Sequence, residues 1–325
     1  MRPRFALFVC FAPVAALAAL AALVSLVSCA STATDPGGFT VTPVKDAGKT
    51  KLDAADPVVV IPDSSVIPDP PGGPGRVYAH TNDTLYLYEP TGGTLKKLGA
   101  FMFDMPATKA DIIDIAVDRT SNMFGTTFND FFSIDTSTAK CTWISIAPGS
   151  VDYPNALSFV PAGTADPGKE ALVGYATSIG DNLAVSYVQI DTATGAMTTR
   201  GNLNATATGP QYKSSGDIIS LIQDGNRTYV TVKLQVDGGL SGTDLLAEVD
   251  PVDGHVKRII GDTQQTNLFG FGYWAGKGYG FSDTGRIVEI DMTSGKSVVL
   301  LTLKGDAGTA LPWFGAGVTT QAPIH

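Results

Sequence analysis

Cysteine, histidine and charge are all scarce in this chain of 325 residues, and each scarcity removes a class of protein. Of the three cysteines, Cys10 and Cys29 lie at the N-terminal end, so Cys141 stands alone in the remainder and no internal disulfide can form there. The three histidines, His80, His255 and His325, are widely separated, and no His-x-His or His-Glu-x-x-His pair exists to seed a zinc hydrolase. A Gly-x-Ser-x-Gly elbow, a phosphate-binding loop and a dinucleotide fingerprint are also missing, and residues 250–253 are too short for a calcium loop. Charged residues make up only 16 % and the net charge is −9, so neither nucleic acid nor an electrostatic hold on anionic lipid is expected. No stretch carries the apolar period of a long amphipathic helix; alanine-rich pieces such as residues 107–110 are too short.

What the chain has in quantity is glycine, proline, threonine and serine among short apolar runs, the profile of a turn-rich all-β protein. One pattern recurs. Near the C-terminus it reads Ile287-Val288-Glu289-Ile290-Asp291-Met292-Thr293-Ser294-Gly295: an apolar strand, an aspartate, then a tight turn. Its kin begin at Ile190-Asp191, Val249-Asp250, Ile134-Asp135 and Tyr88-Glu89. Aspartate bonds the backbone of the turn it starts, and glycine supplies the positive φ that ends it. Copies spaced by roughly forty to sixty residues indicate a repeated β unit.

Ahead of the repeats, Arg2 and Arg4 precede an apolar run over residues 5–27, which closes Leu26-Val27-Ser28-Cys29. A basic start, an apolar core and small residues at the exit meet the needs of a secretion signal. The closing tetrad resembles a bacterial lipobox. That resemblance implies removal of residues 1–28 and acylation of Cys29, with the lipid bilayer as its partner; an uncleaved membrane helix is the alternative for a run of this length. Removing the two arginines leaves 20 basic residues against 31 acidic, a net charge of −11. Ala30, rather than aspartate, follows the cysteine, which in the enterobacterial pattern suits the outer membrane or cell surface. Residues 29–75 then read as a lipidated Pro/Gly-rich tether, and residues 76–325 as the folded domain.

Strand signals in the folded domain group into units of four. Residues 77–93 align without a gap on the unit that follows at an offset of 46, with Tyr78 on Phe124, Asp83 on Asn129 and Glu89 on Asp135. Three further units follow, and one strand is left over: Trp313-Phe314-Gly315-Ala316-Gly317-Val318, which looks like Leu268-Phe269-Gly270-Phe271-Gly272-Tyr273. The first unit lacks an opening strand and the last strand lacks a unit. Each fills the other's gap, giving a five-bladed β-propeller closed by the C-terminal strand. An open β-sandwich and a six-bladed ring are the alternatives. Small residues in the first strands, such as Ala116, Ser158, Ser220, Gly270 and Gly315, suit their approach to a common axis.

Aligning those first strands puts Asp111, Asn155, Asp217 and Asn267 just ahead of the apolar run, with Pro312 in the fifth place. These four are expected to ring one mouth of the channel, beneath connections 204–216 and 235–242. Oxygen-rich side chains there could hold a divalent cation or a polar ligand; capping of the turn that enters each blade explains them without any ligand. Cys141 reads as a packed thiol, and Trp143, Trp274 and Trp313 as core or blade-interface residues. As a whole, residues 77–318 resemble the bacterial extracytoplasmic propellers of the quinoprotein-like, YVTN and NHL-like superfamily. That group includes dehydrogenases, lactonases and binding scaffolds, so the resemblance implies a fold and does not select a function. The regular tryptophan docking motif of its quinone-dependent members is absent, so no quinone is implied. A non-catalytic envelope scaffold binding a protein or glycan is the leading expectation. A metal-dependent hydrolase or lactonase using the mouth is the alternative.

Overall fold

The computed structural model of the chain describes residues 76–104, 111–149, 151–177, 185–204, 208–237, 239–304 and 308–324. The signal segment, Cys29 and the tether therefore lie outside the described residues.

The chain opens with β1 (Val77–His80), β2 (Thr84–Glu89) and β3 (Thr94–Ala100). The second unit holds β4 (Met102–Phe103), β5 (Asp114–Val117), β6 (Met123–Thr126), β7 (Asp130–Ile134) and β8 (Lys140–Ile146). The third holds β9 (Leu157–Val160), β10 (Ala171–Ala176), β11 (Ser186–Ile190) and β12 (Met197–Asn202). The fourth holds β13 (Tyr212–Leu221), β14 (Arg227–Val236), β15 (Gly239–Leu240), β16 (Leu245–Val249) and β17 (Val256–Asp262). The fifth holds β18 (Leu268–Trp274), β19 (Lys277–Ser282), β20 (Arg286–Asp291) and β21 (Ser297–Thr302), and β22 (Gly315–Gly317) comes last.

These strands form five separate sheets, and β22 joins the first of them in the order β22-β1-β2-β3. Its register is antiparallel, with Tyr78 opposite Gly317, Ala79 opposite Ala316 and His80 opposite Gly315. The inner strands touch in the cycle β22, β5, β9, β13, β18 and back to β22. The fold is a five-bladed β-propeller in which the last strand completes the first blade.

Packing explains why the inner runs are apolar throughout instead of alternating. Each blade is sandwiched between two others, so successive side chains on a strand are buried on opposite faces. Five hydrophobic clusters result, one per blade interface. Val77 and Ala79 of β1 pack with Phe281 and Trp313 toward the fifth blade, while Tyr78 between them packs with Ile115 and Phe132 of the second. Phe131 meets Leu157 and Leu172, Val173 meets Ile218 and Val230, and Leu246 meets Phe271 and Val288.

The recurrent turn forms as the sequence requires. Oδ1 of Asp135, Asp191 and Asp291 each accepts two backbone N–H bonds, from residues two and three places on, at 2.8–3.0 Å. Gly195, Gly254 and Gly295 end their turns at φ of 70°, 76° and 74°. The turns also tie blades together: Tyr153 Oη donates to the Gly195 carbonyl at 2.9 Å, and Tyr187 Oη to the Pro251 carbonyl at 3.0 Å.

Three details differ from the sequence reading. Tyr212 to Gly216 belong to β13, where a connection over residues 204–216 was expected. Met102–Phe103 adds a parallel outer strand beside β8. Trp313 is fully buried and Trp274 packs against the same cluster, but Trp143 is 37 % exposed, with its ring nitrogen donating to Asp130.

Candidate functional site

A pair of carboxyl groups occupies the axis. Asp114 on β5 and Asp217 on β13 are both fully buried. Asp114 accepts the Ile115 N–H at 2.7 Å through Oδ1, and the Leu157 N–H of β9 through Oδ2. Asp217 Oδ2 accepts the N–H groups of Phe271 on β18, at 3.1 Å, and Ala316 on β22, at 2.5 Å. The two carboxyls meet across the axis, and between them they engage all five inner strands.

Burial, above all, pushes both acids well above the usual carboxylate range; repulsion between them raises Asp114 further. Asp217 Oδ1 has no N–H or O–H partner among the described residues. Two carboxyls in contact need a proton between them, so the pair holds one proton in common. His80, at the end of β1, completes the hub. Its Nδ1 donates to the Thr81 carbonyl at 2.8 Å, and burial lowers its pKa to about 4, so it is neutral at neutral pH. A methyl group at Gly315 would sit 2.5 Å from Asp114 Oδ1 and 2.6 Å from His80 Nε2, which is why glycine stands there.

The foot of the axis is covered by the C-terminal tail. Thr320 accepts the Ile222 N–H through its carbonyl at 3.0 Å and donates through its hydroxyl to Glu170. Pro323 accepts the Ala275 N–H at 2.7 Å, and Thr319, Thr320 and Ala322 are buried. Approach to the hub from this end is closed by the chain itself.

At the opposite end, one position above the hub, lies a cavity of about 430 Å³. All five blades contribute to it. Phe128, Phe269, Phe314, Leu240 and Ile113 form its apolar rim, and Phe128, Leu240 and Phe269 are 46 %, 37 % and 36 % exposed. Asn155, Asn267, Ser214, Ser215, Lys213 and Lys233 supply its polar wall. Asn155 Oδ1 is buried there without a hydrogen-bond partner among the described residues. Behind the wall, fully buried Asp244 binds Lys233 Nζ at 3.4 Å, the Ser215 hydroxyl, and the Leu268 N–H at 2.7 Å. Burial raises the Asp244 pKa, and these three partners oppose that shift.

The expected ring is thus only half assembled. Asn155 and Asn267 line the cavity. Asp217 lies below it in the hub, because β13 has a register irregularity between Ser214 and Ile218 that carries Asp217 deeper and leaves Ser214 at the mouth. Asp111 is exposed outside the lining, accepting from Asn82 Nδ2 at 3.0 Å. Of the four, only Asn155 and Asn267 belong to the cavity lining. Among the described residues no group of three or more His, Cys, Asp or Glu side chains is placed to hold a metal. The sequence reading missed Asp114 and His80; the available signal was a lone carboxylate inside the apolar run Ile112-Ile113-Asp114-Ile115, where burial demands partners.

No protein-family model matches the chain, and no curated protein matches it. Solved structures do. A Bacteroides caccae protein of unknown function is 10 % identical over 75 % of this chain and 98 % of its own, with a TM-score of 0.40. A Bacteroides thetaiotaomicron protein of unknown function is 16 % identical over 70 % of this chain, with a TM-score of 0.42; the match spans only 56 % of its length. A gluconolactonase from Xanthomonas campestris is 13 % identical over 71 % of this chain and 77 % of its own, with a TM-score of 0.39. The similar structures are β-propeller proteins. All three TM-scores lie below 0.5, and both the fold and the blade count rest here on the strand pairing itself.

Proposed function

We propose that the chain is a lipid-anchored binding module of the bacterial cell envelope, which takes its ligand at the mouth of the propeller. The observation that carries this reading is the cavity itself. It is enclosed by all five blades, its rim presents three phenylalanines, and one buried acceptor on its wall has no protein partner among the described residues. A concave, largely apolar site with a few convergent polar groups is the common form of a small-ligand site. Exposed aromatics are worth more to a partner than to the fold. The carboxylates and the histidine that could serve chemistry lie in the hub below, where each is committed to backbone bonds and fully buried. Acylated Cys29 would hold the module to the bilayer, with residues 29–75 as its leash.

The test is a fragment screen followed by amide chemical shifts, run on the wild type and on Phe269→Ala. Binding should centre on Phe128, Phe269 and Phe314 and weaken in the variant without loss of fold. Fragments that bind elsewhere and leave the mouth unperturbed would contradict the proposal. Turnover of ester or lactone substrates on addition of a divalent cation would replace it with the hydrolase reading. Labelling by an acyl precursor that is lost in Cys29→Ser checks the anchor.

A further inference from the structure

We infer that residues 58–61 of this chain dock as an added strand on the outer edge of β21, at the seam between the fifth and first blades. The inference depends neither on a ligand at the mouth nor on acylation of Cys29. Where each outer strand passes the turn of the next blade, four of the five carry a small residue: Gly99 on β3, Ser145 on β8, Gly201 on β12 and Gly261 on β17. Each of these closes on that turn. A methyl group added at Gly99, Gly201 or Gly261 would meet the carbonyl of Thr138, Asp253 or Ser294, and one added at Gly195 would meet Ser145. At the matching place β21 carries Leu301, opposite Ile287. A methyl group at Gly93, in the first blade's turn, would meet nothing within 4 Å among the described residues. The seam is apolar as well. Val298 is 48 % exposed, where the equivalent places on the other outer strands hold Lys96, Thr142, Thr198 and Arg258. Trp274 and Leu300 are only partly buried against the same cluster. β21 has β20 on one side and, among the described residues, no strand on the other. An apolar edge of this kind is a template for a further strand.

The chain itself supplies the occupant. The longest uninterrupted apolar run in residues 29–75 is Val58-Val59-Val60-Ile61, β-branched throughout and bounded by Pro57 and Pro62, which keep the strand short. The chain also enters the domain at this seam. Arg76 pairs with Glu89, at the head of the first blade's turn, at 3.9 Å, and Val77 packs with Phe281 and Leu301 of the fifth blade. Residues 62–75 join the run to Arg76. Extended at ~3.1 Å per residue they reach about 40 Å, against about 15 Å for the three strand spacings from the inside of a blade to its outer edge. Charges agree with the placement. Asp56 and Asp63 bracket the run, and exposed Lys296 and Lys304 bracket β21. Opposite charges on neighbouring strands favour their pairing. Docking leaves residues 29–57 as the free part of the leash.

The experiment measures amide hydrogen exchange and backbone nuclear Overhauser contacts on the full chain, for the wild type and for Val59→Asp. In the wild type, the amides of residues 58–61 should exchange about 100-fold more slowly than those of residues 64–67. Contacts should run from residues 58–61 to residues 298–300. Both should be lost in Val59→Asp, while the contact between Tyr78 and Gly317 persists and verifies that the propeller is intact. Exchange of residues 58–61 as fast as that of residues 64–67 overturns the inference. Contacts to any outer strand other than β21 overturn it too. So does protection that falls on ten-fold dilution, because a second copy then supplies the strand.

Discussion

Replacing Asp217 by asparagine perturbs the hub in a way whose pH dependence can be worked out beforehand. In the wild type both axial acids have folded-state pKa values raised by burial, with mutual repulsion adding to Asp114. The native state then keeps a proton that the unfolded chain releases above about pH 4. A raised folded pKa contributes stability that is fully present below the unfolded value and is lost as pH climbs through the folded one. The loss is up to ~1.4 kcal/mol per pH unit for each proton retained. In the asparagine variant the amide oxygen still accepts the Phe271 and Ala316 N–H groups, and the amide nitrogen can donate to an ionised Asp114, so the shared proton is no longer needed. The turn aspartates Asp135, Asp191 and Asp291, whose pKa values are lowered by turn hydrogen bonds, lose stability as pH falls instead. They act alike in both proteins and cancel in the difference. Urea unfolding of the two proteins at about pH 5 and about pH 8 is the assay. The variant should gain on the wild type as pH rises. Asp217→Ala should lose stability at every pH, because two buried N–H donors are left without an acceptor at roughly 1–3 kcal/mol each. A wild-type-minus-asparagine difference that is flat in pH, or an alanine variant as stable as the asparagine one, refutes the shared-proton hub.

Three further outcomes follow from local geometry. Gly254→Ala places a methyl group into the Tyr187 side chain at a φ of 76°, so overpacking and backbone strain combine and ~2 kcal/mol or more of stability should go in urea unfolding. Gly93→Ala meets open space at a φ of 60°, so it should cost only about 1 kcal/mol; equal losses at the two sites would refute the blade-to-turn packing. Cys141 is fully buried and its thiol is pushed up to about 12, first by burial and then by Asp104, so it should resist alkylation near neutral pH and react only as fast as the chain unfolds. Prompt labelling of native protein would contradict that packing.

How far residues alone reveal this molecule depends on the range of the interaction concerned. The aspartate turns are local, and their Asp, Thr and Gly positions state the geometry directly; so does the matching of an unpaired last strand to an incomplete first blade. The hub and the cavity are not local. Asp114 looks like an interruption of an apolar run until β13 brings Asp217 against it. One register irregularity between Ser214 and Ile218 moves Asp217 out of the ring it seemed to share with Asn155 and Asn267. Lys213 appeared to lie in a connection, and only its pairing with Lys233 across β13 and β14 shows two like charges facing one space.

Hub, cavity and covered foot all exist only if the ends of the folded domain meet. Backbone nuclear Overhauser contacts between β1 and β22 measure this directly. The closed wheel requires them between Tyr78 and Gly317, Ala79 and Ala316, and His80 and Gly315, in antiparallel register. A β1 edge without these contacts, or a β22 paired with any other strand, would contradict the fold and remove the mouth with it.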